Sequence, residues 1–131
     1  MDELLVYAII PASAARIYKD WLSSDGHTNM TGGEAEISSD STARFTAWDG
    51  YISGQNLQLE ENKRIFQSWR TVEFPEDAEH SKLEVIFEEI DPNSTKVTIT
   101  QSNIPEGDGK KYEDGWKAHY FEPMTEYYSQ N

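Results

Sequence analysis

Between residues 34 and 104 the apolar residues return at every second position, and no other feature of the sequence restricts the fold as strongly. Phe45 and Ala47 alternate with Arg44 and Thr46, and Ile65, Gln67 and Trp69 alternate with Phe66, Ser68 and Arg70. Leu83, Val85 and Phe87 alternate with Glu84, Ile86 and Glu88, and Val97 and Ile99 with Lys96, Thr98 and Thr100. Successive side chains of a strand point to opposite faces, so the pattern predicts an antiparallel sheet covered on one side only. Its separators are turn chemistry: Asp49-Gly50, then the segments 60–63, 74–81 and 91–94. Past "IPEGDG" the period becomes helical. Trp116, Tyr120, Met124 and Tyr127 fall on one stripe, broadened by Phe121 and Tyr128. Pro123 lies inside this stripe and deprives the carbonyl of His119 of its helical partner, which predicts a kink there. A sheet with one bare apolar face and a helix with one aromatic face predict that the helix lies across the sheet.

Ahead of the sheet, "ELLVYAII" (3–10) is an apolar run stopped by Pro11, the pattern of a strand. Ala14, Ile17, Tyr18, Trp21 and Leu22 then recur at helical spacing, with Ser13 as a start signal and Asp25-Gly26 as a stop. "DGHTNMTGG" reads as a loop or a single turn. The predicted order is strand, helix, loop, six strands and a long helix, an α+β fold of about seven strands in one domain spanning 1–131.

Composition then narrows the chemistry. The chain has no cysteine, which excludes disulfides, zinc–thiolate sites and cysteine nucleophiles. Eleven basic against twenty-four acidic residues give a net charge of −13, which argues against nucleic-acid and anionic-membrane partners; the excess of carboxylates reads as a solubilising surface, with a basic protein partner as the alternative. "MDELLVYAIIP" has no basic leader region and is too short to span a bilayer, so the chain is expected to be soluble and cytoplasmic. Four Trp, seven Tyr and five Phe must pack into a core, around a cavity or on an interface.

Asp49-Gly50 between Trp48 and Tyr51 fits a two-residue hairpin loop, which makes Asp49 scaffolding rather than a catalytic acid. Gln67 shares its strand face with Ile65 and Trp69 and points toward the helix. A buried amide needs partners, so Gln67 is expected to bond a structural group, with a ligand contact as the alternative. Phe45, Trp69, Phe87, Trp116, Tyr120, Met124 and Tyr127 are expected to line the space between sheet and helix. His27 is placed in a loop near the mouth of that space, bonded to local backbone, and no second His or Asp is spaced to orient it as a base. No pair of the three histidines has metal-ligand spacing, and no nucleotide or Ser-His-Asp motif is present, so neither metal nor cofactor is called for.

Four segments in register, "MTGGEAEI", "FTAWDGYISG", "LQLEENKRIFQSWR" and "GWKAHYFEPM", resemble the SRPBCC (START-like) superfamily. Within it they resemble the Aha1-type branch, named for the activator of a heat-shock chaperone ATPase. The resemblance implies a helix-grip (START/Bet v-like) fold: a curved antiparallel sheet wrapped around the long C-terminal helix, with a cavity between them that often takes an apolar ligand. Two departures are visible. Thr42-Ala43 stands where relatives often carry Gly-Gly, so the edge bulge those glycines allow is not expected. The chain also begins at its first strand, whereas eukaryotic co-chaperones of the branch join this domain to a separate N-terminal one, so it is expected to stand alone. The first functional expectation is a binding domain that holds an apolar or aromatic small molecule or lipid. The alternative is a protein-interaction module that modulates a heat-shock chaperone ATPase; the third reading is a polyketide-cyclase-like enzyme. The chain is expected as a monomer, or as a homodimer formed through exposed rings such as Trp48 or Tyr51.

Overall fold

In the computed structural model, which describes residues 1–130, the alternating segments form one antiparallel sheet whose apolar face is covered by the helices. The strands are β1 (Asp2–Ile10), β2 (Arg44–Ala47), β3 (Ile52–Glu60), β4 (Arg64–Thr71), β5 (Ser81–Asp91) and β6 (Ser94–Ile104), in the spatial order β1-β6-β5-β4-β3-β2. Consecutive strands from β2 to β6 are neighbours, and the chain's first strand closes the far edge by pairing with its last.

The sheet has six strands rather than about seven. The segment expected as a further strand makes one bridge, Glu36 to Thr46, although Ala35 and Ile37 are buried. Its backbone is held by side chains of a helix instead. Ser24 Oγ donates to the Ile37 carbonyl (3.1 Å) and accepts from the Ile37 N–H (3.0 Å), while the Ala35 N–H donates to Thr28 Oγ1 (3.0 Å). Groups that would have paired with a neighbouring strand are already satisfied.

That helix is itself a departure from the expected loop. After α1 (Ala14–Trp21), α2 runs from Ser24 to Thr31. Ser23 caps it by accepting from the Gly26 N–H (3.1 Å), and Gly32 ends it in the left-handed region. His27, Met30 and Thr31 are buried on its inner face, a stripe too polar to stand out in the sequence.

The hairpin around Asp49-Gly50 also differs. Ala47 pairs with Ile52, so the loop has four residues, and Trp48, Asp49 and Gly50 all take positive φ (52°, 59° and 88°). Asp49 is scaffolding: its N–H donates to the Glu34 carbonyl (3.0 Å), and its carboxylate accepts from the Glu34 N–H (3.3 Å). Trp48 is held in the left-handed region, which costs a non-glycine residue about 1 kcal/mol or more. Its indole lies against Gly33, where a Cβ would stand 2.5 Å from the ring. The register of β2 on β3 is unbroken, and the irregularity of β3 falls between Asn56 and Gln58.

At the C-terminus α3 (Gly109–Trp116) and α4 (Glu122–Ser129) are joined by a π-helical turn, Lys117–Phe121. The Glu122 N–H bonds the Lys117 carbonyl, five residues back, and Pro123 has no N–H to offer His119. The predicted kink takes this form, and it resets the helical phase. Rings and Met at 112, 116, 120, 124 and 128 are all buried, in steps of four. In a straight α-helix each such step drifts by about 40°, and one extra residue in a π turn returns about 100° of it. Tyr128 is therefore the buried residue, with its hydroxyl donating to Asp20 Oδ2 (2.6 Å), while Tyr127 is half-buried and does not continue the stripe.

Candidate functional site

Between the C-terminal helix and the β2–β3–β4 side of the sheet lies a groove of about 470 Å³, open on one side. Trp48 and Tyr51 come from the β2–β3 loop, Ile52 from β3, Trp69 from β4, Tyr112 and Trp116 from α3, and Tyr120 from the π turn. The rings pack on one another as well as on the void. Trp69 lies edge-on to Tyr112 (5.3 Å between centroids) and tilted against Trp116 (5.5 Å), and Trp116 meets Tyr120 at 4.7 Å. Such pairings hold a concave aromatic wall in place.

The mouth is polar. Lys111, Asp114 and His119 stand on the exposed side of the helix, with His119 edge-on to Trp48 (5.4 Å). Glu73 joins the two sides, accepting from both the Tyr51 hydroxyl and the Lys111 ammonium. Hydrogen bonds from Lys111 and then Tyr51 hold its carboxyl below the usual carboxylate range, and Tyr51 is pushed well up by burial and by Glu73.

Behind the wall the polar groups are bonded to one another. Trp116 Nε1 donates to Gln101 Oε1 (2.9 Å), Gln101 Nε2 to Ser81 Oγ (2.9 Å), and Ser81 Oγ to the Trp69 carbonyl (2.6 Å). The hydroxyls of Thr71 and Tyr112 are paired at 2.7 Å. His27 is 2% exposed, with Nδ1 2.8 Å from the Trp21 carbonyl and Nε2 2.7 Å from the Tyr120 hydroxyl. A carbonyl only accepts, so the proton sits on Nδ1 and Nε2 accepts from Tyr120. Burial lowers the His27 pKa to about 4 and raises that of Tyr120. The pair joins α2 to the C-terminal helix as neutral groups. Among the buried side-chain polar atoms described, Trp48 Nε1 is the one without a partner.

Of the residues expected to line the space, Trp69, Trp116 and Tyr120 meet on the groove wall. Phe45, Gln67, Phe87 and Met124 lie in the core without lining it. Phe87 packs against Tyr18 and Trp21, with centroids at 5.8 and 6.5 Å. Gln67 donates through Nε2 to Asn56 Oδ1 (2.8 Å), its partner across β3 and β4, and Asn56 donates in turn to the carbonyls of Ser38 and Asp40 (3.0 and 2.9 Å). His27 sits within α2 in the core, not in a loop at the mouth, because α2 turns it inward. Tyr127 is outside the groove. Sequence reasoning missed Trp48, Tyr51 and Tyr112 as wall residues. Tyr112 carried a signal, one step of four before Trp116; Trp48 and Tyr51 were absorbed into a turn.

Among the described residues no group of three or more His, Asp or Glu could hold a metal ion. No described helix is long and apolar enough to cross a membrane.

Comparison with known proteins places this architecture. The chain is similar to an activator of 90 kDa heat shock protein ATPase homolog from Dictyostelium discoideum, 26% identical over 100 residues, covering 76% of this chain and 26% of that protein. It spans between 26% and 33% of the length of the curated relatives it matches first. An HSP90 activator from Plasmodium falciparum superposes with a TM-score of 0.81 at 18% identity, over 93% of this chain and 92% of that one. The structure of an Aha1 dimer from Colwellia psychrerythraea gives 0.71 at 19% identity, over 89% and 87%. At these identities the structures establish a shared fold. The model of the family described as "Activator of Hsp90 ATPase homolog 1-like protein" matches residues 11–129, and on that match the chain belongs to the family.

Proposed function

We propose that this chain is a protein-interaction module that modulates the ATPase of an Hsp90-class chaperone. The observation that carries the reading is the family match over residues 11–129, nearly the whole of the described fold. Two features agree with it. The polar groups behind the groove are bonded to one another, which suits a structural interior. The net charge of −13 favours association with basic protein surfaces. The test is the ATPase rate of an Hsp90-class chaperone from the same organism, titrated with this protein; a saturable change in rate is expected.

A second reading is a small apolar or aromatic ligand in the groove. It rests on a volume inside the usual range of small-molecule sites, about 300–1,000 Å³, and on the unpartnered Trp48 Nε1 beside an aromatic wall. Native mass spectrometry of protein purified from its own host tests it. A stoichiometric molecule released on mild denaturation supports a carrier. Protein that is empty, and that shows no shift in the Trp indole N–H resonances with apolar ligands, counts against it.

A further inference from the structure

On the face of the sheet turned away from the helices, Arg44, Arg70 and Lys82 gather around His80 in a chain that is otherwise acidic. Strand register places Arg44 opposite Gln55, Gln55 opposite Ser68 and Ser68 opposite Lys82, one row across β2, β3, β4 and β5. Their sequence neighbours Phe45, Gln67, Trp69 and Leu83 are buried on the inner face, so the row faces outward. Arg70 stands beside this row, opposite Ser53, and His80 lies just before β5. Arg44, Ser53, Gln55, Ser68, His80 and Lys82 line a shallow depression, with Glu79 as its one carboxylate-bearing residue.

Among the described residues, side-chain ion pairs are made by Arg64, Lys110, Lys111 and Lys117, and none by Arg44, Arg70 or Lys82. Arg70 donates to the carbonyls of Pro75 (3.0 Å) and Ala78 (3.1 Å), which fixes its guanidinium over the β4–β5 loop with no carboxylate bonded to it among the described residues. The pKa of His80 is lowered, first by partial burial and then by the positive charges of Arg70, Lys82 and Arg44.

We propose that this outer-face depression docks an acidic peptide segment of a protein partner. Charge complementarity sets the class of occupant. A long polyanion such as nucleic acid, or an anionic bilayer, would also meet the surrounding excess of carboxylates in a chain of net charge −13. A short acidic segment meets chiefly the local cations, because charge is screened over about 8–10 Å at moderate salt. The distance also fits. Three strand spacings of about 4.8 Å separate Arg44 from Lys82, about 14 Å, which an extended peptide crosses in about four residues. Two carboxylates that far apart reach both cations, and Ser53, Gln55 and Ser68 offer polar groups between them.

The site lies on the opposite face from the groove and is tested on the isolated protein, so its fate is separate from that of the chaperone reading. The probe is fluorescein-labelled octaglutamate, followed by anisotropy at about 50 and about 300 mM salt. The expectation is saturable binding that weakens with salt and falls about tenfold or more in the double variant Arg44→Glu/Lys82→Glu. Arg44→Gln/Lys82→Gln, which perturbs the sheet less, loses several-fold. Addition of the peptide raises the pKa of His80 measured from its ring resonances. Lys19→Glu/Lys63→Glu, which changes net charge equally, binds as the parent does. The proposal is overturned by no saturable binding, by equal loss in the Lys19/Lys63 variant, or by equal binding of octaglutamine. It is also overturned if a thymidine octanucleotide binds as tightly and is lost in the same variants, which would make the depression a general polyanion site.

Discussion

Acidification from neutral pH should destabilise this protein through His27. The ring is almost completely buried between the Trp21 carbonyl and the Tyr120 hydroxyl, and its pKa is lowered from 6.5 to about 4, chiefly by burial. Between those values the unfolded chain holds a proton on His27 that the folded chain refuses, so falling pH favours the unfolded state. The contribution is complete above pH 6.5 and is lost as pH falls toward 4. The gap of about 2.5 pH units, at about 1.36 kcal/mol each, amounts to about 3 kcal/mol. His80, also lowered, acts in the same direction. Asp40 and Glu73, lowered from 3.8 and 4.5, lose their effect only at more acid pH. The assay is urea denaturation at pH 7, 5.5 and 4.5 for the parent and for His27→Gln, with the His27 ring resonances titrated by NMR in the parent. The variant is expected to be less stable at pH 7, since it disturbs a buried pair, yet to lose less stability between pH 6.5 and 4.5. A His27 that titrates near 6.5 in the folded protein, or a variant with the parent's full pH dependence, would refute the reasoning.

Three further outcomes can be checked by urea denaturation. Asn56→Ala should cost about 2–3 kcal/mol, because it orphans the Gln67 amide and two backbone carbonyls; Asn56→Asp should be similarly harmful at pH 7, since a carboxylate cannot donate. Trp69→Ala should cost about 3 kcal/mol, the low end for a buried Trp, because its groove side has few atoms to lose. Gly33→Ala should cost about 1–3 kcal/mol and displace the Trp48 indole, which lies 2.5 Å from where the new Cβ would stand; an unchanged Trp48 indole N–H resonance would contradict this.

The sheet and the long helix were legible because each has a strong period. The strand Arg64–Thr71 alternates without exception between buried and half-buried positions, and Ile65 and Trp69 against Arg64, Ser68 and Arg70 write that alternation in the sequence, although Phe66 and Gln67 invert it. What escaped depends on contacts between distant segments. The buried face of α2 is His27, Met30 and Thr31; His27 is satisfied by Trp21 and Tyr120, and Thr31 Oγ1 donates to the His27 carbonyl, yet in sequence the stretch reads as polar loop. The segment 34–37 carries a strand's alternation, but beyond the single Glu36–Thr46 bridge its Ala35 and Ile37 N–H groups donate to Thr28 and Ser24 of α2, and the Ile37 carbonyl accepts from Ser24. Pro123 announced a break in the helix, but not that the break would be a π turn that exchanges Tyr128 for Tyr127 on the inner face. The groove wall was half legible. Trp69, Trp116 and Tyr120 follow from their stripes, whereas Trp48 and Tyr51 reach the groove only because three consecutive positive-φ residues turn the loop toward the helix.

The most direct test of the account is the steady-state ATPase rate of an Hsp90-class chaperone from the same organism, measured across a wide concentration range of this protein. The reading as a chaperone-modulating module predicts a saturable change in rate that depends on the folded domain and is absent after heat denaturation of this protein. A rate that stays constant over the whole range, with the chaperone active and the protein folded, would contradict it.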